Sequence, residues 1–130
     1  MKSALPVWPF YEDNQINSAK EVLVSGKVNY WTGNKCKIFE ENFANYVGSQ
    51  YSISVANGSL ALSLAYLACG IGYGDEVITS PRSFVATASS ICLLQAKPVF
   101  ADVDIDSGNI TAESIEKVIT KKTKAISVVH

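Results

Sequence analysis

Cysteine is scarce. Cys36, Cys69 and Cys92 stand far apart, their number is odd and no C-x-x-C occurs. That argues against both a disulfide framework and a zinc site. The only histidine is His130, at the end of an apolar segment, where it can line a site or serve structure. No Ser/His/Asp or Cys/His set is assembled from these residues. No apolar run reaches the ~20 residues that a membrane-crossing helix requires. The opening MKSALPVWPFYEDN lacks the long apolar core of a secretory signal. Basic residues form no stripe and the formal net charge is -1, which speaks against a nucleic-acid partner. A Walker-type G-x-x-x-x-G-K-S/T is missing, as are internal repeats and low-complexity linkers. These absences predict a soluble protein of the reducing cytoplasm. The N-x-S/T triplets at Asn57 and Asn109 would then meet no glycosylation machinery.

What is present is a globular composition, 48% apolar and 18% charged in 130 residues. A chain of this length can bury roughly two-thirds of its unfolded surface. Ile16, Ala19, Val22 and Leu23 predict an amphipathic helix over Glu12–Val24, closed by Gly26. The aromatic turn segment NYWTGN, 29–34, follows. Phe39, Phe43, Tyr46 and Val47 predict a second helix over Lys35–Val47, stopped by Gly48. Strands are then expected over 51–56, 76–80, 98–103 and 124–130. Helices are expected over 60–69, 84–95 and 112–119, the last capped by Thr111. Strand and helix in alternation imply an α/β fold with a mainly parallel sheet. The strands lack clean alternation of polarity, which suits burial on both faces. An apolar strand ending at His130 reads as the front portion of a larger α/β protein.

The junction SVANGSLAL, 54–62, carries the chemistry. It lies at the carboxyl end of an expected strand, where open α/β sheets bind ligands. The first N–H groups of a helix lack internal partners and the dipole there is partly positive. Gly58 has no Cβ to obstruct an anion, and Ser59 adds a hydroxyl. The junction therefore fits a phosphate cup. It fits a tight turn with a Ser59 N-cap equally well. GIGYG, 70–74, follows a helix and precedes a strand, the wrong order for a dinucleotide fingerprint. DVDIDSG, 102–108, offers Asp102, Asp104 and Asp106 at calcium-loop spacing. Ser107 stands where that loop needs glycine, so a strand exit with an Asp-rich turn is expected and no metal site.

Several segments read together resemble one family: FEENFANYVG (39–48), SVANGSLALSLAYLACGIGYGDEVI (54–78), SPRSFVATAS (80–89), KPVFADVDIDSGNI (97–110) and TKAISVVH (123–130). They look like the DegT/StrS group of sugar aminotransferases, fold-type-I enzymes that use pyridoxal 5′-phosphate (PLP). The similarity runs from about Trp8 to His130. It implies a three-layer α/β large domain, incomplete in this chain. Residues 1–130 would be its N-terminal part, with helices over 1–49, βαβ units over 50–130 and no second domain. It implies that Gly58, Ser59 and the N–H of Leu60 hold the PLP phosphate. It also implies that Phe84, in the S/T-F-x-A-T segment, stacks on the pyridine ring, where an aromatic face suits a flat electron-poor ring. Without the resemblance Phe84 reads as a core residue at a helix start. Arg82 stands where many members carry a smaller residue, and either a substrate anion or solvent can face it.

In the family, the aspartate that pairs with the pyridinium nitrogen and the lysine that forms the Schiff base lie further along the chain. No residue here takes a catalytic role. Lys97, Lys121, Lys122 and Lys124 read as solvated charges. The resemblance implies a cytoplasmic homodimer that moves an amino group from an amino acid, glutamate foremost, to a nucleotide-linked keto-sugar. Such sugars feed cell-surface polysaccharide synthesis. NYWTGN would reach the partner's site. Residues 1–130 alone are expected to be inactive. The alternatives are a sugar dehydratase of the same family, using PLP or its pyridoxamine form, and a non-catalytic anion-binding α/β module.

Overall fold

The computed structural model describes residues 8–129, which divide into two compact units at Ser54–Val55. The first unit carries α1 (Asp13–Ser25) and α2 (Lys35–Val47). Both end as their glycines require. Gly26 and Gly48 adopt left-handed φ values of 68° and 71°, and their N–H groups return to Leu23 and Ala44. Between the helices, the Asn29 side chain accepts from the N–H groups of Trp31 and Thr32 and from the Thr32 hydroxyl. Gly33 is needed there, because a Cβ would lie 2.7 Å from the Lys27 carbonyl oxygen. The expected apolar faces exist but are not covered within this unit. Phe39 and Phe43 stack with centroids 5.8 Å apart, yet both remain exposed, and Ala44 is the buried residue of α2. A unit this small cannot enclose two helix faces by itself.

The second unit carries α3 (Gly58–Ala68), β1 (Glu76–Thr79), α4 (Ala86–Leu93), β2 (Lys97–Phe100), α5 (Ala112–Glu116) and β3 (Thr123–Ser127). The sheet is parallel, in the order β2-β1-β3. Burial on both faces holds for the central strand alone: Glu76, Val77, Ile78 and Thr79 are all buried. The outer strands stay partly open, and β3 alternates. Val77 and Ala125 are register partners and so share a face. That face packs against Tyr66 and Leu62 of α3 and Ile91 of α4. Both helices therefore cover the same side of the sheet.

Several boundaries differ from expectation. The segment 51–56 forms no ladder, and Tyr51 and Ile53 are exposed. The β preference of Ile53 and Val55 describes fit to a neighbouring strand, and none pairs with them among the described residues. β2 begins at Lys97, with Pro98 on an edge strand where its missing donor costs no ladder bond. Val103 lies beyond β2 and bridges antiparallel to Ile110. α4 starts after Phe84 and stops before Gln95, whose φ of 59° ends the helical path. α5 stops at Glu116, short of Ile119, but keeps its Thr111 cap, which accepts from Ser114 N–H at 3.2 Å. β3 ends at Ser127, and His130 lies outside the described residues. Cys36, Cys69 and Cys92 are free thiols on the surface. No helix among the described residues is long and apolar enough to cross a membrane.

Candidate functional site

α3 begins at Gly58, and its cap is Asn57 rather than the expected Ser59. The Asn57 side-chain oxygen accepts from Leu60 N–H at 3.0 Å. This ties up one of the three groups expected to face a phosphate. The N–H groups of Gly58 and Ser59 and the Ser59 hydroxyl have no protein partner among the described residues. A Cβ at Gly58 would meet nothing within 4 Å, and its φ is not left-handed. Neither backbone conformation nor crowding by this chain demands glycine there. The helix start thus presents two unpaired N–H groups and a hydroxyl, with open space at Gly58, which fits an oxyanion. No acidic residue stands in the first turn of α3 to compete.

Phe84 lies in the lead-in to α4 and is 76% exposed, so it is not the core residue that its helical context suggested. It lines a cleft of about 280 Å³ with Ser80, Pro81, Ser83, Thr87 and Phe100. Thr87 N–H donates to the Phe84 carbonyl, and the Ser83 and Thr87 hydroxyls share a 2.8 Å hydrogen bond. These contacts fix the backbone and leave the ring free. The Ser59 carbonyl accepts from the Ser90 hydroxyl of α4 at 3.2 Å, a contact with no local sequence signal. The bend opens α3 and Phe84 lies just before α4; the two helices touch and cover one face of the sheet, while the cleft that Phe84 lines includes neither Gly58 nor Ser59.

The perturbed carboxyls lie elsewhere. Ser54's N–H and hydroxyl, each 2.8 Å away, hold Glu40 below the usual carboxylate range. Glu40 in turn raises the Tyr30 phenol, which donates to it at 3.1 Å. The Gly72 N–H lowers Asp75, with Lys124 assisting. The Thr120 hydroxyl, 2.6 Å away, lowers Glu76 at the amino edge of the sheet, with Lys97 beside it at 3.3 Å. Asp104 is lowered by the Ser107 N–H and hydroxyl inside its own turn. GIGYG is a loop, with Gly70 and Gly74 at φ 70° and 83°. No group of three or more metal-ligating side chains occurs among the described residues.

Comparison with known proteins gives a consistent result. The model of the DegT/DnrJ/EryC1/StrS aminotransferase family matches residues 9–130. The aminotransferase of Psychrobacter cryohalolentis superposes with a TM-score of 0.92 at 49% identity, over 96% of this chain and 32% of that one. SpsC of Bacillus subtilis, a spore coat polysaccharide biosynthesis protein, is 42% identical over 94% of this chain and 31% of its own length. NtdA of Bacillus subtilis, solved with bound pyridoxamine phosphate (PMP), gives a TM-score of 0.78 at 32% identity, over 85% of this chain and 25% of that one. The chain thus spans about a third of the length of these first two relatives.

Proposed function

Because the chain belongs to the DegT/DnrJ/EryC1/StrS aminotransferase family, we propose that the full polypeptide is a PLP-dependent sugar aminotransferase. It takes an amino group from an amino acid, glutamate foremost, and delivers it to a nucleotide-linked keto-sugar. PMP in the NtdA structure supports the cofactor, and the polysaccharide role in the name of SpsC supports a sugar acceptor. When bound, the cofactor supplies the electron sink for amino transfer.

The single observation that carries the reading is the open start of α3. Gly58 and Ser59 offer two N–H groups and a hydroxyl to the cofactor phosphate, where the helix dipole favours negative charge. Leu60 N–H joins them only when the Asn57 side chain lets go. Phe84 offers an exposed ring face that positions the cofactor ring and keeps water from it. The acting unit is a cytoplasmic homodimer, with NYWTGN contributing to the partner's site. The phosphate role is tested with Ser59→Ala in the full-length protein. Loss of one hydrogen bond to a charged group should weaken PLP retention by about 1.5–3 kcal/mol. Wild-type cofactor affinity in that variant would reduce Ser59 to a surface hydroxyl.

A further inference from the structure

Beyond the bend at Gly58, Arg82 stands at the carboxyl edge of the sheet without an ion-pair partner among the described residues. Arg82 follows β1, the turn 107–109 follows β2, and Val129 follows β3. These residues line a cleft of about 390 Å³: Arg82, Ser107, Gly108, Asn109 and Val129. The carboxyl ends of parallel strands are where such sheets receive ligands. The seat of the guanidinium is built. Ser80 Oγ accepts from Arg82 N–H at 3.1 Å, which fixes the backbone. Gly108 has a φ of +69°, and a Cβ there would overlap the Arg82 guanidinium. The turn beneath is closed by the Val103–Ile110 bridge and by Gly108 N–H to the Asp104 carbonyl at 2.8 Å.

Among the described residues, no carboxylate pairs with this charge. The ion pairs among the described residues are Lys97–Glu76 and Lys124–Asp75. Asp106, next to Ser107 in sequence, makes no ion pair among the described residues, and Asp104 engages Oδ1 with the N–H and hydroxyl of Ser107. Arg82 thus holds a planar fork of donors toward a polar cleft with no acidic partner among the described residues, the geometry that reads carboxylate or phosphate in two-point contact.

We propose that Arg82, seated on Gly108, binds an oxyanion group of a substrate and helps select it. The proposal rests on the aminotransferase reading, which supplies two anionic reactants: the amino-acid donor with its carboxylates and the sugar nucleotide with its diphosphate.

The test uses the full-length, PLP-loaded protein with Arg82→Ala, Arg82→Lys and Gly108→Ala. Two quantities are read: KM and kcat for conversion of the cofactor spectrum by L-glutamate, and the Kd of inorganic pyrophosphate by calorimetry. Arg82→Ala should weaken one of the two by about tenfold or more, the scale of a charge-assisted two-point contact, with the glutamate kcat little changed. Arg82→Lys should restore part of the loss, and Gly108→Ala should reproduce it by displacing the guanidinium. A shift confined to glutamate assigns the donor carboxylate; one confined to pyrophosphate assigns the nucleotide. Values within twofold of wild type for both probes, in variants with unchanged melting temperature, would overturn the proposal and leave Arg82 a solvated charge. If the wild type shows no amino transfer, the enzymatic reading fails, while the pyrophosphate measurement still decides whether Arg82 binds an oxyanion.

Discussion

The hydroxyl of Ser90, buried in the middle of α4, donates to the carbonyl of Ser59 in the first turn of α3 at 3.2 Å. This ties the helix that opens with the candidate phosphate bend to the helix that follows Phe84. Had the bend and the ring stood on opposite faces of the sheet, a shared coenzyme pocket would be impossible. The Ser59–Ser90 contact and the common core of Tyr66, Val77 and Ile91 put α3 and α4 on one face, and the cleft beside Phe84 is lined by neither Gly58 nor Ser59.

A second cross-tie should be measurable as stability. The Tyr66 phenol, buried on α3, donates to Ser127 Oγ at the end of β3 at 2.8 Å and lies 3.4 Å from the Thr87 carbonyl of α4. Tyr66→Phe keeps the ring packing and deletes the donor. The full-length protein should lose about 1 kcal/mol, the net value of one hydrogen bond. Thermal unfolding with the cofactor concentration held constant checks it. An unchanged midpoint would mean that water replaces the phenol.

Much of this was legible in the residues. α1 and α2 follow from helical spacing ended by glycine, and α2 spans Lys35–Val47 as expected. The parallel sheet follows from the alternation of elements. The bend at Asn57-Gly58-Ser59 stood out because glycine beside a helix start leaves backbone donors open. The cap falls on Asn57 and not on Ser59, the alternative the sequence leaves open, because Asn and Ser serve that position equally well and the backbone path decides between them. The Glu40–Ser54 contact spans 14 residues and leaves no periodic trace. Without the family resemblance Phe84 reads as core, because an aromatic at a helix start ordinarily packs inward; the fold leaves it exposed instead.

The exposure of Phe84 makes its own prediction. A core phenylalanine cut to alanine costs about 3–5 kcal/mol. At 76% exposure, Phe84→Ala should leave the apoprotein nearly as stable as wild type. If the ring covers the cofactor, the same variant should release it faster and alter its absorbance. Stability and cofactor dissociation should therefore separate. A large loss of apoprotein stability would return Phe84 to a packing role, and an unaltered coenzyme spectrum would remove it from the site.

Acid should release the segment that precedes the bend. Glu40 is held below its ordinary value of 4.5 by the N–H and hydroxyl of Ser54, then by Tyr30 and Lys37. A carboxyl depressed on folding contributes stability above its unfolded pKa and loses it as pH falls through the lower folded value. The loss from Glu40 thus begins below about pH 4.5 and completes under the folded pKa. The Ser54 amide proton, followed by NMR, should titrate with a midpoint below 4.5 in wild type. In Glu40→Gln that step should vanish, and the Tyr30 phenol should titrate at lower pH than in wild type, because the carboxylate that raises it is gone. A Ser54 titration that persists in Glu40→Gln would break the assignment.

Asn57 separates a phosphate site from a plain helix cap. Asparagine and aspartate cap helices about equally, and a carboxylate gains further from the dipole by about 0.3–1 kcal/mol. If the start of α3 does nothing but begin a helix, Asn57→Asp should be neutral or stabilising, with Leu60 N–H still held by the side-chain oxygen. If Gly58 and Ser59 cradle a phosphate, the new carboxylate stands beside a dianion. Repulsion between them should lower PLP affinity severalfold, more at low ionic strength, because salt screens exposed charges. Asn57→Ala reverses the balance: it loses a cap worth about 1 kcal/mol but frees Leu60 N–H for the phosphate. Affinity should therefore rank the alanine variant above the aspartate variant, while apoprotein stability ranks them the other way. Cofactor titration and thermal unfolding of the same two proteins read both orders. The same order in both would mean that no anion sits at this helix start.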